Sequence, residues 1–185
     1  VLDRYYKCAK KFLCDPIVRI SSDCPLIDPS VIDKIINKFL KGKYDYVSNN
    51  FEKNKNSLCN FPQGMVAEIT SFKTLERAWK NAKKNSEREH VFPFVQFNPK
   101  LFKISFIKNK NNLSFIRCTV DHKEDLQFLR KIYKEFPKNL NIIKIDDIVK
   151  VIKKEPELLK INSWIDFEEG YKKSLLLDSH NKENN

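Results

Sequence analysis

No long apolar run occurs in this 185-residue chain, and no stretch has the pattern of a secretory signal. A membrane span and a secreted disulfide scaffold are therefore set aside, and a cytoplasmic setting is the expectation. Cysteine is sparse: Cys8, Cys14, Cys24, Cys59 and Cys118 form no C-x-x-C pair, which argues against a zinc knuckle. Cys8 and Cys118 fall among apolar periodic positions and read as small core residues. No internal repeat marks a solenoid, and no composition shift marks a second domain. The formal net charge is +11, yet no arginine–aromatic motif accompanies it, so no nucleic acid is expected as a partner. Lysine supplies most of that charge, with asparagine beside it, as in Asn109-Lys110-Asn111-Asn112. This reads as a solvated surface whose field also favours the approach of a polyanionic substrate.

What is present is an ordinary folded composition, 41% apolar and 32% charged, long enough for one α/β domain with a real core. The chain opens at Val1 and runs at once into a helical pattern over 3–13, so it is expected to begin inside a domain. The stripe of that helix is Tyr5 or Tyr6, Ala9, Phe12 and Leu13. Ile17 to Ile20 reads as a strand, and Asp28-Pro29 caps a helix carrying Val31, Ile32, Ile35, Ile36, Phe39 and Leu40, with Gly42 as C-cap. Tyr44 to Val47 is the next strand, and the polar stretch 49–62 reads as a long loop. Further strands are expected at 65–69, 101–107 and 115–120. Helices are expected at 71–82, at 124–136 (Leu126, Phe128, Leu129, Ile132 and Tyr133 inward) and at 147–154. A capping box is expected to close on Glu89. Alternation of this kind predicts a βαβ architecture with a mostly parallel sheet. Residues 1–135 form its core, 136–175 a helical extension of the same domain, and 176–185 a frayed tail.

Two aspartates carry the main chemical signal. Asp23 follows the strand at 17–20, and Asp121 follows the strand expected at 115–120. Carboxyl ends of strands face the ligand crevice in an open α/β sheet. If the two strands are neighbours, two hard oxygen ligands converge, which suits Mg²⁺ held jointly with substrate phosphates. Each residue also has a structural reading: Asp23 as an Asx brace beside Pro25, Asp121 as the N-cap of the following helix. Arg19 lies inside an apolar strand and needs a partner, either a buried carboxylate or a substrate. His90 reads as a satisfied structural histidine or a donor to a carboxylate or a sugar hydroxyl. Gly64 serves a tight turn or a close approach, and Glu68 is an edge residue or an acceptor for hydroxyls.

The chain resembles the spore coat polysaccharide biosynthesis protein F group of the acylneuraminate cytidylyltransferases. The residues that carry the likeness are Val1-Leu-Asp-Arg-Tyr-Tyr6, Ile17-Val-Arg-Ile-Ser-Ser-Asp-Cys-Pro-Leu-Ile-Asp-Pro29, Tyr44-Asp-Tyr-Val-Ser-Asn49, Ser86-Glu-Arg-Glu-His-Val91, Cys118-Thr-Val-Asp121 with Glu124-Asp125, Glu155-Pro-Glu-Leu-Leu-Lys-Ile-Asn162 and Glu169-Gly-Tyr-Lys-Lys-Ser174. The resemblance implies a nucleotide-diphospho-sugar transferase-like (Rossmann-like) three-layer sandwich. It implies transfer of CMP from CTP to a nonulosonic or related sugar acid, with release of pyrophosphate, and a possible homodimer. By the same likeness Asp23 and Asp121 are Mg²⁺ ligands, and Arg19 and Ser22 flank the nucleotide. Gln63, Gly64, Glu68, Glu87, Arg88 and His90 line the sugar side.

Three departures stand against that pattern. No glycine- and basic-rich loop of the kind Gly-Ser-x-Arg-Leu-Pro-Gly-Lys occurs among the 185 residues. The fold is therefore expected without its first strand and phosphate-binding loop, and the chain alone is expected to show little transferase activity. Val66 stands where the family often has aspartate, and Phe92 where it often has threonine. A non-catalytic homologue that binds a nucleotide-sugar or a partner protein is the alternative.

Overall fold

The computed structural model describes residues 1–50, 52–53, 56–57, 60–137, 140, 142–166 and 168–183. The elements are α1 (Leu2–Lys11), β1 (Ile17–Ile20), α2 (Pro29–Gly42), β2 (Tyr46–Ser48), β3 (Glu52–Lys53), β4 (Asn56–Ser57), β5 (Ala67–Thr70) and α3 (Phe72–Asn81). They continue with α4 (Asn85–Glu89), α5 (Pro93–Gln96), β6 (Ile104–Phe106), α6 (Lys123–Lys134), α7 (Ile145–Lys154), a 3₁₀ turn (Pro156–Ile161) and α8 (Glu169–Glu183).

The main sheet has the order β1-β5-β2-β6. β5 lies antiparallel between β1 and β2, and only β2 and β6 pair in parallel. The expectation of a mostly parallel sheet is thus corrected: β1, β2 and β6 share a direction, but β5 is inserted against them. Side chains of neighbouring strand residues go to opposite faces. Tyr46 enters a core with Leu2, Leu75, Val91 and Phe92, under α1, α3 and α5. Val47 enters a second core with Val31, Ile35, Phe128, Ile132 and Ile148, under α2, α6 and α7. Helices therefore cover both faces, giving three layers.

Local chemistry sets the helix ends. The Asp28 Oδ1 accepts the Ser30 N–H at 2.8 Å, and its Oδ2 accepts the Ile145 N–H at 3.0 Å. One buried carboxylate so caps α2 and anchors the start of α7; an N-cap of this kind contributes about 1 kcal/mol. α2 ends on Lys43 in the left-handed region, φ 44°, not on a C-cap glycine, since Gly42 is still helical. α1 stops at Lys11, and Leu13 turns left-handed at φ 52°, so Phe12 and Leu13 leave the expected stripe and are exposed. Cys8 is likewise exposed, whereas Cys118 is in the core as expected. On α6, Phe128, Leu129 and Ile132 are buried, but Leu126 and Tyr133 face out. α4 is closed by Glu87 and not by Glu89: the Glu87 Oε2 accepts the N–H groups of Lys83 and Lys84 at 3.0 and 3.2 Å.

The largest difference from the sequence reading is at 115–120, which forms no strand. A single parallel bridge joins Gln63 to Arg117. It is supported by Gln63 N–H to Ile116 O (2.8 Å) and Cys118 N–H to Gln63 O (2.8 Å). Part of the loop at 49–62 is a short ladder, Glu52–Lys53 against Asn56–Ser57. Residues 51, 54, 55, 58 and 59 of that loop, Cys59 among them, lie outside the described residues. α8 packs on α4 and carries helix through Glu183; Asn184 and Asn185 of the tail also lie outside the described residues.

Candidate active site

Two arginines, Arg117 buried and Arg19 partly buried, organise the region beside β1 and β5. Arg19, on β1, pairs through Nη1 with Glu68, its cross-strand partner on β5. The other Glu68 oxygen accepts the Tyr46 hydroxyl at 2.5 Å, and Gln96 Nε2 donates to that hydroxyl at 2.7 Å. Burial pushes the Tyr46 phenol well up, and the Glu68 charge pushes it further, so it stays a donor. Burial acts to lower the Arg19 guanidinium pKa, but the adjacent Glu68 carboxylate outweighs it and the group stays charged.

Arg117 is more deeply held, with a side chain 4% exposed. Its Nε donates to Asp125 Oδ1 at 2.8 Å and its Nη2 to Asp125 Oδ2 at 3.0 Å, a bidentate fork. The same Nη2 donates to Asp121 Oδ2 at 2.7 Å. Asp125 is fully buried and also accepts the Asp121 and His122 N–H groups and Asn162 Nδ2. Burial would raise its carboxyl pKa, but the Arg117 bond, then Asn162 and the two backbone donors, hold it below the usual range. Asp125 therefore does the N-terminal capping of α6 that Asp121 was placed to do. Asp121 is left 47% exposed, held by Arg117 on one oxygen.

The loops bearing the two aspartates meet. Val120 N–H donates to the Asp23 carbonyl at 2.9 Å, and the Thr119 hydroxyl to the same oxygen at 3.3 Å. The Cys24 thiol is buried beside Asp23. Burial pushes it up to about 12, with Asp23 adding to the rise and Asp121 contributing in the same sense. Asp23 is half-buried, and the Cys24 Sγ contacts its Oδ1 at 3.6 Å. Among the described residues, no three His, Cys, Asp or Glu side chains gather closely enough to hold an ion by themselves. Asp121 borders the larger hollow and Asp23 the one beside it, on loops joined by backbone bonds, and carboxylates of this kind are the hard oxygen donors that suit Mg²⁺ shared with a phosphate ligand.

A cleft of about 490 Å³ opens on this network, lined by Arg19, Glu68, His90, Arg117, Asp121 and His122, together with Val66, Phe97, Glu169, Gly170, Tyr171 and Lys173. A second hollow of about 620 Å³ holds Ser22 and Asp23 with Arg4 and Tyr5 of α1. Arg19 borders both. His90 Nε2 bonds the Ser174 hydroxyl at 3.0 Å and meets Tyr171 edge-on; burial lowers its pKa. His122 Nε2 lies 3.1 Å from Glu169, which also takes Lys173 at 2.6 Å.

The structure thus gathers Arg19, Glu68, His90 and Asp121 in one cleft, with Ser22 and Asp23 in the hollow beside it. It does not bring the other four to the cleft lining. Gln63 is spent on the 114–118 segment, its Nε2 donating to Ser114 O at 3.0 Å. Gly64 sits at φ +81°, and a Cβ there would stand 2.5 Å from Thr119 N, so glycine serves a close backbone approach. Glu87 caps α4, and Arg88 Nη1 donates to the carbonyls of Trp79 and Ala82 at the end of α3. Arg117 and His122 fall in no motif quoted for the family likeness, and Asp125 and Asn162 stand in such motifs with no role read for them from sequence. An arginine buried four residues before an aspartate in an apolar run was the available signal.

A sequence model of the Cytidylyltransferase family matches residues 1–174. An uncharacterized protein of Methanocaldococcus jannaschii is 38% identical over 167 residues, covering 88% of this chain and 63% of that protein. Spore coat polysaccharide biosynthesis protein SpsF of Bacillus subtilis is 25% identical over 138 residues, covering 73% and 54%. Among solved structures, a cytidylyltransferase from Leptospira borgpetersenii superposes with a TM-score of 0.77 at 32% identity, covering 85% of this chain and 64% of that one. The chain therefore spans under two thirds of these relatives' length, and its fold is the nucleotide-diphospho-sugar transferase-like one. With its matched residues running from the first helix into α8, this chain belongs to the cytidylyltransferase family.

Proposed function

We propose that this chain forms the acceptor- and metal-bearing part of an enzyme that transfers CMP from CTP to a sugar acid. The observation that carries the reading is the backbone bond from Val120 to Asp23, which sets two aspartate loops side by side, Asp121 bordering the cleft and Asp23 the hollow next to it. Asp23 and Asp121 would hold Mg²⁺. Bound there, the ion supplies charge neutralisation for the phosphate chain. In the reaction, the sugar's anomeric hydroxyl forms a bond to the α-phosphorus of CTP, and the bond from that phosphorus to pyrophosphate breaks. Arg19 faces both hollows and is placed to orient a phosphate or carboxylate between them. His90, with its pKa lowered, offers a neutral imidazole to a sugar hydroxyl.

The test is calorimetric titration of CTP into the chain with and without Mg²⁺, followed by sugar acids and their neutral counterparts. CTP binding is expected to require Mg²⁺ and to weaken about tenfold or more in Asp23→Asn and in Asp121→Asn. With CTP and Mg²⁺ present, an acid is expected to bind about tenfold tighter than its neutral counterpart. Mg²⁺-independent CTP binding, or equal binding of acid and neutral sugar, would contradict the respective half of the reading. Pyrophosphate release by these 185 residues alone is expected near background, since they contain no glycine- and basic-rich phosphate loop.

A further inference from the structure

We infer that Arg117 is a positioning residue for Asp121, and that Asp125 is what makes this compatible with binding a divalent cation. The inference rests on the metal reading above.

A guanidinium 2.7 Å from a carboxylate normally spends that carboxylate's charge. If Arg117 and Asp121 were alone, the site would present a neutral pair to a cation. Asp125 changes the sum. Its two oxygens occupy Nε and Nη2 of Arg117 in a fork, in the fully buried position. One arginine and two aspartates carry net charge −1, and Asp121 is the exposed member of the three. The remaining negative charge is therefore offered at the cleft.

Geometry adds direction. Asp121 Oδ2 is held by Nη2, and the Asp121 N–H is held by Asp125 Oδ2 at 3.1 Å. Backbone and side chain of one residue are thus fixed by the same buried pair, leaving Oδ1 as the oxygen for an ion. Asn162, just past the 3₁₀ turn, steadies the arrangement from behind through Nδ2, at 2.9 Å from Asp125 and 3.1 Å from the Arg117 carbonyl. This is how outer groups orient a ligating carboxylate, and losing one typically costs about 10–100-fold in metal affinity.

The experiment is a double-mutant cycle read by Mn²⁺ affinity in the presence of CTP, measured by electron paramagnetic resonance on the full chain. Arg117→Lys keeps the charge and loses the fork. It is expected to weaken Mn²⁺ about tenfold. Asp121→Asn is expected to weaken it further, and the double variant to bind no worse than Asp121→Asn alone, since Arg117 acts only through Asp121. Additive losses would overturn the positioning role while leaving the metal reading intact. Unchanged affinity in Asp121→Asn would overturn both. If Arg117→Lys does not fold, Asn162→Ala replaces it in the cycle, with a smaller expected loss and the same non-additivity.

Discussion

Arg117 is buried and Arg19 partly so, both beside the same cleft, and the carboxylates they hold differ in one respect. The carboxylate that Arg19 faces is closed: Glu68 is filled by Arg19 on one oxygen and by Tyr46 on the other, and Tyr46 is held by Gln96, while the Nε of Arg19 itself has no hydrogen-bond partner among the described residues. Arg117 belongs to an open set, because one of its two carboxylates, Asp121, is half in solvent. A closed buried network mainly fixes the packing of two strands, whereas an open one delivers an oriented charge to the outside. The contrast separates residues whose loss unfolds the domain from those whose loss disarms it.

Breaking the closed set carries the largest expected effect on stability. Glu68→Gln leaves Arg19 charged and partly buried without its counter-ion, a loss of roughly 3–5 kcal/mol. Urea unfolding followed by circular dichroism measures it, and an effect as small as that of a surface pair would place Glu68 among the binding residues instead. Gly64→Ala comes next, at about 1–3 kcal/mol, because φ +81° and the nearby Thr119 nitrogen both oppose a side chain. Asp121→Asn is expected to change stability by less than about 1 kcal/mol, as befits a half-exposed ion pair. Its effect belongs to Mg²⁺-dependent CTP binding. A drop in stability like that of Glu68→Gln would erase the distinction between the two arginines.

The smallest expected effect is on pH dependence. His90 has a folded pKa below its ordinary 6.5, because burial disfavours the imidazolium. Its contribution is fully present above 6.5 and is lost as pH falls through the lower, folded value. Asp125 is also depressed, so its contribution is present above the unfolded value of 3.8 and fades in more acidic solution. Melting temperature is therefore expected to fall in two acid steps, and His90→Gln is expected to remove only the upper one. A variant that keeps the upper step would assign it to another group.

Much of the layered fold was legible in the sequence, because amphipathic periodicity and a cap such as Asp28-Pro29 are local signals. What tertiary context decided was not. The sequence of β5 reads as an ordinary strand, and nothing in it says that it runs against both neighbours. Residues 115–120 have strand-forming composition, but their backbone bonds go to Gln63, to the Asp23 carbonyl, to Leu113 and to the Asn162 side chain, and not to a neighbouring strand. The loops bearing Asp23 and Asp121 meet through backbone bonding and not through adjacent strands, a contact that no local sequence signal encodes. Glu87 and Arg88 sit in a motif that resembles the family's, and the likeness puts Gln63 and Gly64 on the sugar side, yet each has a structural duty that only the folded neighbours disclose. Arg117 went unnoticed because an arginine in an apolar run gains meaning only when its buried partner, eight residues on, is seen to face it.

The most direct measurement is the anomalous signal of Mn²⁺ in crystals of this chain grown with CTP. One ion is expected within about 2.3 Å of a carboxylate oxygen from each of Asp23 and Asp121, with Asp121 contributing Oδ1 while Oδ2 stays on Arg117. An ion bound by only one of the two aspartates, or bound elsewhere with both side chains turned away, would contradict a shared metal site.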